Sequence, residues 1–267
     1  MTDSEKVVRR NPHGDFGAVQ ASRPQWKEDS KLEFTQTRDP TWTKGDGAIE
    51  TFDEKHVDID PWEQGRPSVY NYKLLISAII PRPIGFVSTV SPQGNRNLAP
   101  FSYFQLVNHD PPSFIVSFVG GFKDSLRNLL ETNECTISII SEHFVEAANS
   151  TSVNSPFGVS EWELSGLTPS PSVTVKPPRV KESVFGIEGK LALTHGFFSK
   201  GDPDKKTGTL TLIEGTMFWC RGDALNKEKN LVDPGILRPV ARLGGITYGR
   251  IMNAFELLRP DWEEFKG

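Results

Sequence analysis

The stretch Pro81-Arg82-Pro83-Ile84-Gly85-Phe86-Val87-Ser88-Thr89-Val90-Ser91, with Asn97-Leu98-Ala99-Pro100-Phe101-Ser102-Tyr103-Phe104 six residues beyond it, decides how this chain is read. Pro81 and Pro83 stop a short helix predicted over Tyr70–Ile80, because proline lacks the N–H that a helix interior needs. Ile84 to Ser91 is then rich in β-branched and aromatic residues and is predicted to be a strand. Pro92-Gln93-Gly94 is a turn by composition, and Leu98 to Val107 is predicted to be a second strand, starting near Pro100.

Working outward, His109-Asp110-Pro111-Pro112 is a breaker and Ser113 to Val119 a third strand. Gly120-Gly121 leads into a predicted helix over Asp124–Asn133, with Leu126, Leu129 and Leu130 on one face. Cys135 to Ile140 reads as a strand and Glu142 to Asn149 as a helix. Residues 150–180 are rich in Ser, Pro and Thr and read as a long surface loop. Phe185 to Phe197 and Thr207 to Trp219 are strand-rich and joined by a polar turn over Lys200–Lys206. A last short helix is predicted near Ile251–Leu258. Many short strands with Gly and Pro punctuation and a few helices predict a mainly β protein, a closed or partly closed β-barrel with helical additions.

The chain has 267 residues, with 30 Lys plus Arg against 34 Asp plus Glu, and the imbalance is local. Residues 1–66 hold 10 basic and 14 acidic side chains, and residues 67–267 hold 20 of each. Residues 1–66 have no sustained period and scatter Trp26, Phe34, Trp42, Phe52 and Trp62 among their charges. They read as an N-terminal extension, mobile at first and draped on the body over residues 40–66, and residues 67–267 as one domain. A neutral body lacks the basic face of a nucleic-acid protein. The apolar run Leu74–Ile80 is too short to span a bilayer. Met1 to Arg10 has no apolar segment after its charges, so no secretory leader is expected and the protein is placed in the cytoplasm. Cys135 and Cys220 are too few for a disulfide framework or a Cys-rich metal site.

Few signatures of known chemistry are present. The chain has no G-x-G-x-x-G, no G-x-x-x-x-G-K-[ST], no H-E-x-x-H and no G-x-S-x-G. His13, His56, His109, His143 and His195 form no metal pattern, so no metal site is assigned. No catalytic residue is assigned either; His109 and His143 read as turn or surface residues. The most informative element is Gly120-Gly121-Phe122-Lys123-Asp124-Ser125. Glycines permit a sharp turn, a helix start offers free amides and partial positive charge, and Lys123 and Ser125 add a cation and a hydroxyl. Two readings stay open: a phosphate cradle, or a plain N-cap made by Asp124 or Ser125 with Lys123 in solvent. In the opening stretch Ser88, Thr89, Asn97 and Ser102 can bond the polar edge of a flat heteroaromatic ligand, with Phe and Tyr around it. The competing reading is ordinary alternation in a β-core.

Taken in order, Pro81–Val90, Asn97–Phe104, His109–Pro112, Lys123-Asp124-Ser125-Leu126-Arg127-Asn128, Gly166-Leu167-Thr168-Pro169, Pro178-Arg179-Val180 and Arg242-Leu243-Gly244-Gly245-Ile246-Thr247-Tyr248 resemble the flavin reductase-like family, the FMN-binding split-barrel proteins. The resemblance spans about residues 68–255. It implies a homodimer of Greek-key split barrels with FMN at each end of the dimer interface. It places the flavin ring against Ser88, Thr89 and Val90 and against Ala99, Pro100, Phe101 and Ser102, with Asn97 close by. The phosphate falls to Lys123, Asp124 and Ser125, and Arg242 and Tyr248 approach the flavin or the dimer seam. It further implies hydride transfer from NAD(P)H to the flavin and electrons passed to an unidentified acceptor, with no nucleic-acid or membrane partner. A flavin-holding electron carrier without NAD(P)H turnover is the alternative. A scaffold that has lost its cofactor is a third.

Overall fold

The computed structural model describes residues 11–121 and 123–266. Strand β2 (Gly85–Val90) is its organising element, after a small strand β1 (Glu33–Phe34) in the N-terminal arm. Every β2 residue from Gly85 to Thr89 is buried, which explains its nearly unbroken apolar run. Successive side chains point to opposite faces, so one strand feeds two cores. Val87 packs with Phe104, Phe114, Phe118, Leu129, Ile137 and Ile213. Phe86 packs on the other side with Leu98, Ile140, Phe144 and Trp162.

β2 belongs to an antiparallel sheet with β3 (Arg96–Phe101), β4 (Phe104–His109), β5 (Pro112–Val119), β6 (Glu134–Ile139), β9 (Phe185–Phe198) and β10 (Lys206–Cys220). The strand order is β3-β2-β6-β9-β10-β5-β4. β3 and β4 therefore lie at opposite ends of the sheet although only Ser102 and Tyr103 separate them in the chain. A two-residue link cannot cross an open seven-stranded sheet, so the sheet must curl until its ends meet, giving a split barrel. Phe101 still pairs with Gly85 of β2, Phe104 already faces Val116 of β5, and Ser117 N donates to Tyr103 O at 2.9 Å. The single strand predicted over Leu98–Val107 is thus two strands with a corner. At that corner a Cβ on Gly85 would sit 2.9 Å from the Phe104 ring.

Helix α1 (Phe16–Ala21) lies in the arm and α2 (Ser68–Ala78) precedes β2. Arg82 caps the carboxyl end of α2, donating from Nη1 to Ile76 O at 2.5 Å and Ile79 O at 2.8 Å, and from Nη2 to Leu243 O at 2.7 Å. Helix α3 (Asp124–Thr132) plugs one end of the barrel with Leu126 and Leu129, and ends at Asn133 with φ of 60°. The helix predicted over Glu142–Asn149 is a 3-10 turn at Glu142–Phe144 followed by α4 (Val145–Ser150).

Two predicted segments differ. Residues 150–180 are not all surface loop, because α5 (Glu161–Ser165) buries Trp162, and Leu167 and Val175 are also buried. Short strands β7 (Pro169–Ser170) and β8 (Arg179–Val180) pair there. No helix forms near Ile251–Leu258. After α6 (Pro234–Leu237), β11 (Val240–Arg242) and β12 (Tyr248–Arg250) make a hairpin, and β13 (Asn253–Ala254) pairs parallel with β1. Glu33 N donates to Met252 O and Thr35 N to Ala254 O, so the arm holds this segment extended. Other contacts of the arm with the body include Asn71 Nδ2 donating to Pro61 O at 2.8 Å, Arg250 over the Trp26 ring at 3.8 Å and Lys200 over Trp62 at 4.4 Å. Its aromatic residues stay largely in solvent, Phe52 at 76% exposure. A last helix, α7 (Trp262–Phe265), ends the described chain, and no described helix is long and apolar enough to cross a membrane.

Glu188 on β9 fastens the 171–178 loop to the barrel. Its fully buried carboxylate accepts from Val173 N, Thr174 N, Thr174 Oγ and Trp219 Nε1, the last at 2.6 Å. Burial opposes its charge, but the bonds from Thr174, Val173 and Trp219 prevail and hold its pKa below the usual glutamate value, with Arg179 nearby. A depressed folded-state pKa adds stability above the unfolded value and loses it as pH falls through the folded one. Glu188→Ala should cost about 2–4 kcal/mol in urea denaturation, because four donors lose their acceptor. Glu188→Gln should flatten the acid side of the stability–pH curve, and an unchanged acid limb would sink the assignment. Gly85→Ala should cost about 1–3 kcal/mol by overpacking against Phe104, read from the same denaturation curves.

Candidate functional site

Helix α3 begins beside the open end of β2 and β3, where the sequence placed its anion site. Lys123 is the N-cap residue, with extended backbone, and among the described residues no side chain caps the first turn. The N-cap expected from Asp124 or Ser125 is therefore not made, and the first amides of α3 keep their donor capacity. Asp124 stands in that first turn. Phe122 of the same motif lies outside the described residues.

A small hollow of about 10 Å³ lies against this helix start, lined by Asn95, Arg96, Asn97, Asp124, Asn128 and the Phe157-Gly158-Val159 segment. Arg96 brings positive charge to the wall and Asp124 a carboxylate. Arg127, on the same helix, stacks over the Phe157 ring at 4.3 Å. Asn128 is buried; its Nδ2 donates to Thr89 Oγ at 3.2 Å, and its Oδ1 has no partner among the described residues. An unsatisfied buried acceptor in a cleft wall fits a ligand that brings a hydroxyl or N–H.

Beneath the cleft lies a connected polar layer. Asn97 and Ser125, both buried, meet at 2.7 Å, and Glu161 accepts from Leu98 N at 3.1 Å and from Ser155 Oγ at 2.6 Å. The Ser125 hydroxyl is thus turned to Asn97. Thr89 and Ser88 are fully buried, and Ser88 Oγ has no partner among the described residues. Val90 lies at the more open end of β2. On β3, Ala99, Pro100 and Phe101 are half-buried, and Phe101 packs edge-on against Phe118 at 4.7 Å. Ser102 is half-buried at the barrel corner. β3 ends the sheet order. Along it Leu98 N–H is taken by Glu161, and Pro100 has no N–H to offer.

Arg242 and Tyr248 form a separate group. They face each other across the β11–β12 hairpin, with the guanidinium 4.4 Å from the ring centre. Arg242 Nη2 donates to Gly245 O at 2.5 Å and Tyr248 OH to Asn149 Oδ1 at 2.8 Å. Neither residue lines the α3 cleft. Backbone bonds at 3.0 Å in both directions join Arg242 to Arg82, so the hairpin is fastened just ahead of β2. Burial lowers the Arg82 pKa and raises that of Tyr103, whose phenol faces Tyr72 and Arg82. Asn128 and Glu161 are additions to the expected set. Asn128 had a usable signal, since it falls one turn after Asp124 on the same helix face. Glu161 had none, being buried in a Ser- and Pro-rich segment.

Comparison with known proteins agrees with this architecture. The family profile described as "Flavin reductase like domain" matches residues 77–233. An uncharacterized protein of Halalkalibacterium halodurans is 37% identical over 71% of this chain and 91% of its own length. Among solved structures, nitrilotriacetate monooxygenase component B from Bacillus cereus aligns with a TM-score of 0.72 and 33% identity, covering 76% of this chain and all of that one. The 2-nitrobenzoate 2-nitroreductase NbaA of Pseudomonas fluorescens aligns with a TM-score of 0.68 and 26% identity, covering 78% and 98%. A profile match over more than half of the chain, on a split barrel closed at Ser102-Tyr103, shows that this protein belongs to the flavin reductase-like family.

Proposed function

We propose that this protein is an FMN-binding oxidoreductase of the flavin reductase type, which takes hydride from NAD(P)H and passes electrons to a separate acceptor. Family membership supports a flavin. The observation that carries the choice of FMN is the uncapped start of α3 beside a cleft with an unsatisfied buried acceptor. An N-terminal phosphate fits the free amides of the first turn, to which Lys123 and Arg96 add charge. The bound flavin supplies the two-electron chemistry itself.

The protein's own part in this reading is binding, orientation and exclusion of water. Lys123 and the α3 amides hold the phosphate, and the half-buried Ala99–Ser102 edge of β3 gives the ring a mostly apolar wall. No protein acid or base is required. The cytoplasm is the setting proposed for this activity. We also propose a homodimer: α2 and the two residues after it leave Leu75, Ile79 and Ile80 in solvent and β4 leaves Leu106 and Val107, apolar surface that a second copy would cover. One similar structure is a monooxygenase component, which favours a second protein as the electron acceptor.

The purified protein should be yellow or become so with FMN, and should oxidise NADH or NADPH. A sample that binds flavin but turns over neither nucleotide supports the electron-carrier alternative, and one indifferent to flavin supports neither. Lys123→Ala should weaken FMN ten- to a hundredfold, by the usual worth of a charge-assisted hydrogen bond. Riboflavin, which lacks the phosphate, should be unaffected; equal losses for both would place the phosphate elsewhere. Light scattering should give twice the 29.7 kDa chain mass, and a monomer would contradict the dimer.

A further inference from the structure

Glu161 is a buried carboxylate whose donors are all neutral: Leu98 N, Ser155 Oγ and the Asn97 amide. The Asn97 amide is consistent with its surroundings in one orientation. With its NH2 toward Glu161, it donates to Oε2 at 3.3 Å, and its oxygen accepts from Ser125 Oγ at 2.7 Å and Leu98 N at 3.1 Å. The reverse orientation sets a carbonyl oxygen against a carboxylate that can only accept. A directed chain results, running from the Ser125 hydroxyl to Asn97 and on to Glu161. Ser125 has one proton and spends it inward.

Three elements meet in this chain: Ser125 in the first turn of α3, Asn97 and Leu98 on β3, and Glu161 at the start of α5, with Ser155 drawing in the loop before it. The hollow at the α3 start is lined by Asn97 of this chain and by Asn128, whose buried Oδ1 has no partner among the described residues. We propose that Glu161 is a positioning residue for the anion-binding turn of α3, acting through Asn97 and Ser125 without touching the ligand. This inference rests on the reading of that turn as the phosphate site. It also assigns Ser125 a role different from direct phosphate contact: its hydroxyl aligns the turn, and the main-chain amides and Lys123 bind.

The test reads the ratio of FMN to riboflavin affinity in the full-length chain, since a merely structural loss would weaken both ligands together. Glu161→Ala should lower the ratio about five- to tenfold. Glu161→Gln keeps an oxygen for Leu98 N and Asn97 and should hold the ratio within about twofold of wild type. Ser155→Ala, a milder change that keeps the carboxylate, should lower it about threefold, which preserves the test if Glu161→Ala does not fold. Ser125→Ala should lower the ratio, and the Glu161→Ala/Ser125→Ala double variant should do no worse than the poorer single, because both cut one chain. Multiplying effects in the double variant would mean that Ser125 meets the phosphate directly and would overturn the proposal. So would an unchanged ratio in Ser155→Ala and Glu161→Ala when wild type binds FMN. Failure of the wild-type chain to bind either flavin would instead remove the phosphate-site reading itself, and this inference with it.

Discussion

Closure of the sheet at Ser102-Tyr103 is the constraint on which the rest of the molecule depends. Two residues carry the chain from one end of a seven-stranded sheet to the other, so β3 and β4 must stand side by side. Phe104 then presses its ring where Gly85 has no side chain. Phe104 lies there in one core with Phe114, Phe118, Ile137 and Ile213. β3 ends the strand order, and α5 packs against it beside the cleft. A larger residue at position 85 would push the ends apart and disturb both.

The second consequence is that β2 is buried on both faces. Its outer face is covered by α4, α5 and the β11–β12 hairpin through Phe86, Phe144, Trp162 and Val240. Its polar side chains therefore have no solvent, and each needs an internal partner. Thr89 finds Asn128; Asn97 on the neighbouring strand finds Ser125 and Glu161. The polar layer under the cleft follows from burying hydroxyls and amides between a barrel and its helical coat. Among the described residues Ser88 Oγ and Asn128 Oδ1 in this layer are left without a partner.

Much of this was legible from residue order. The β2 strand, the start of α3 at Asp124 and the long β9 and β10 strands lie within a residue or two of where composition and punctuation put them. Local pattern misled where a long-range contact decided. Ser102 and Tyr103 carry no Gly, Pro, Asn or Asp turn signal, so the barrel corner read as continuous strand. Ser, Pro and Thr in residues 150–180 hid Trp162 and Leu167, whose burial comes from the sheet face beneath them. Ile251–Leu258 has helical composition but is claimed by β1, more than 200 residues earlier. For the candidate site, Lys123 and the glycines ahead of it lie at the start of α3, where residue order put the turn. The pairing of Asn97 with Ser125, and of Asn97 with Glu161, spans 28 and 64 positions and left no trace in spacing.

The central claim is that the uncapped start of α3 receives the phosphate of a bound FMN. A crystal structure of the full chain with FMN tests it most directly. The account predicts phosphate oxygens within hydrogen-bond distance of the Asp124 and Ser125 amides and the Lys123 ammonium, with Ser125 Oγ still directed to Asn97. A phosphate held at the Arg242–Tyr248 hairpin, with the α3 turn unoccupied, would contradict it.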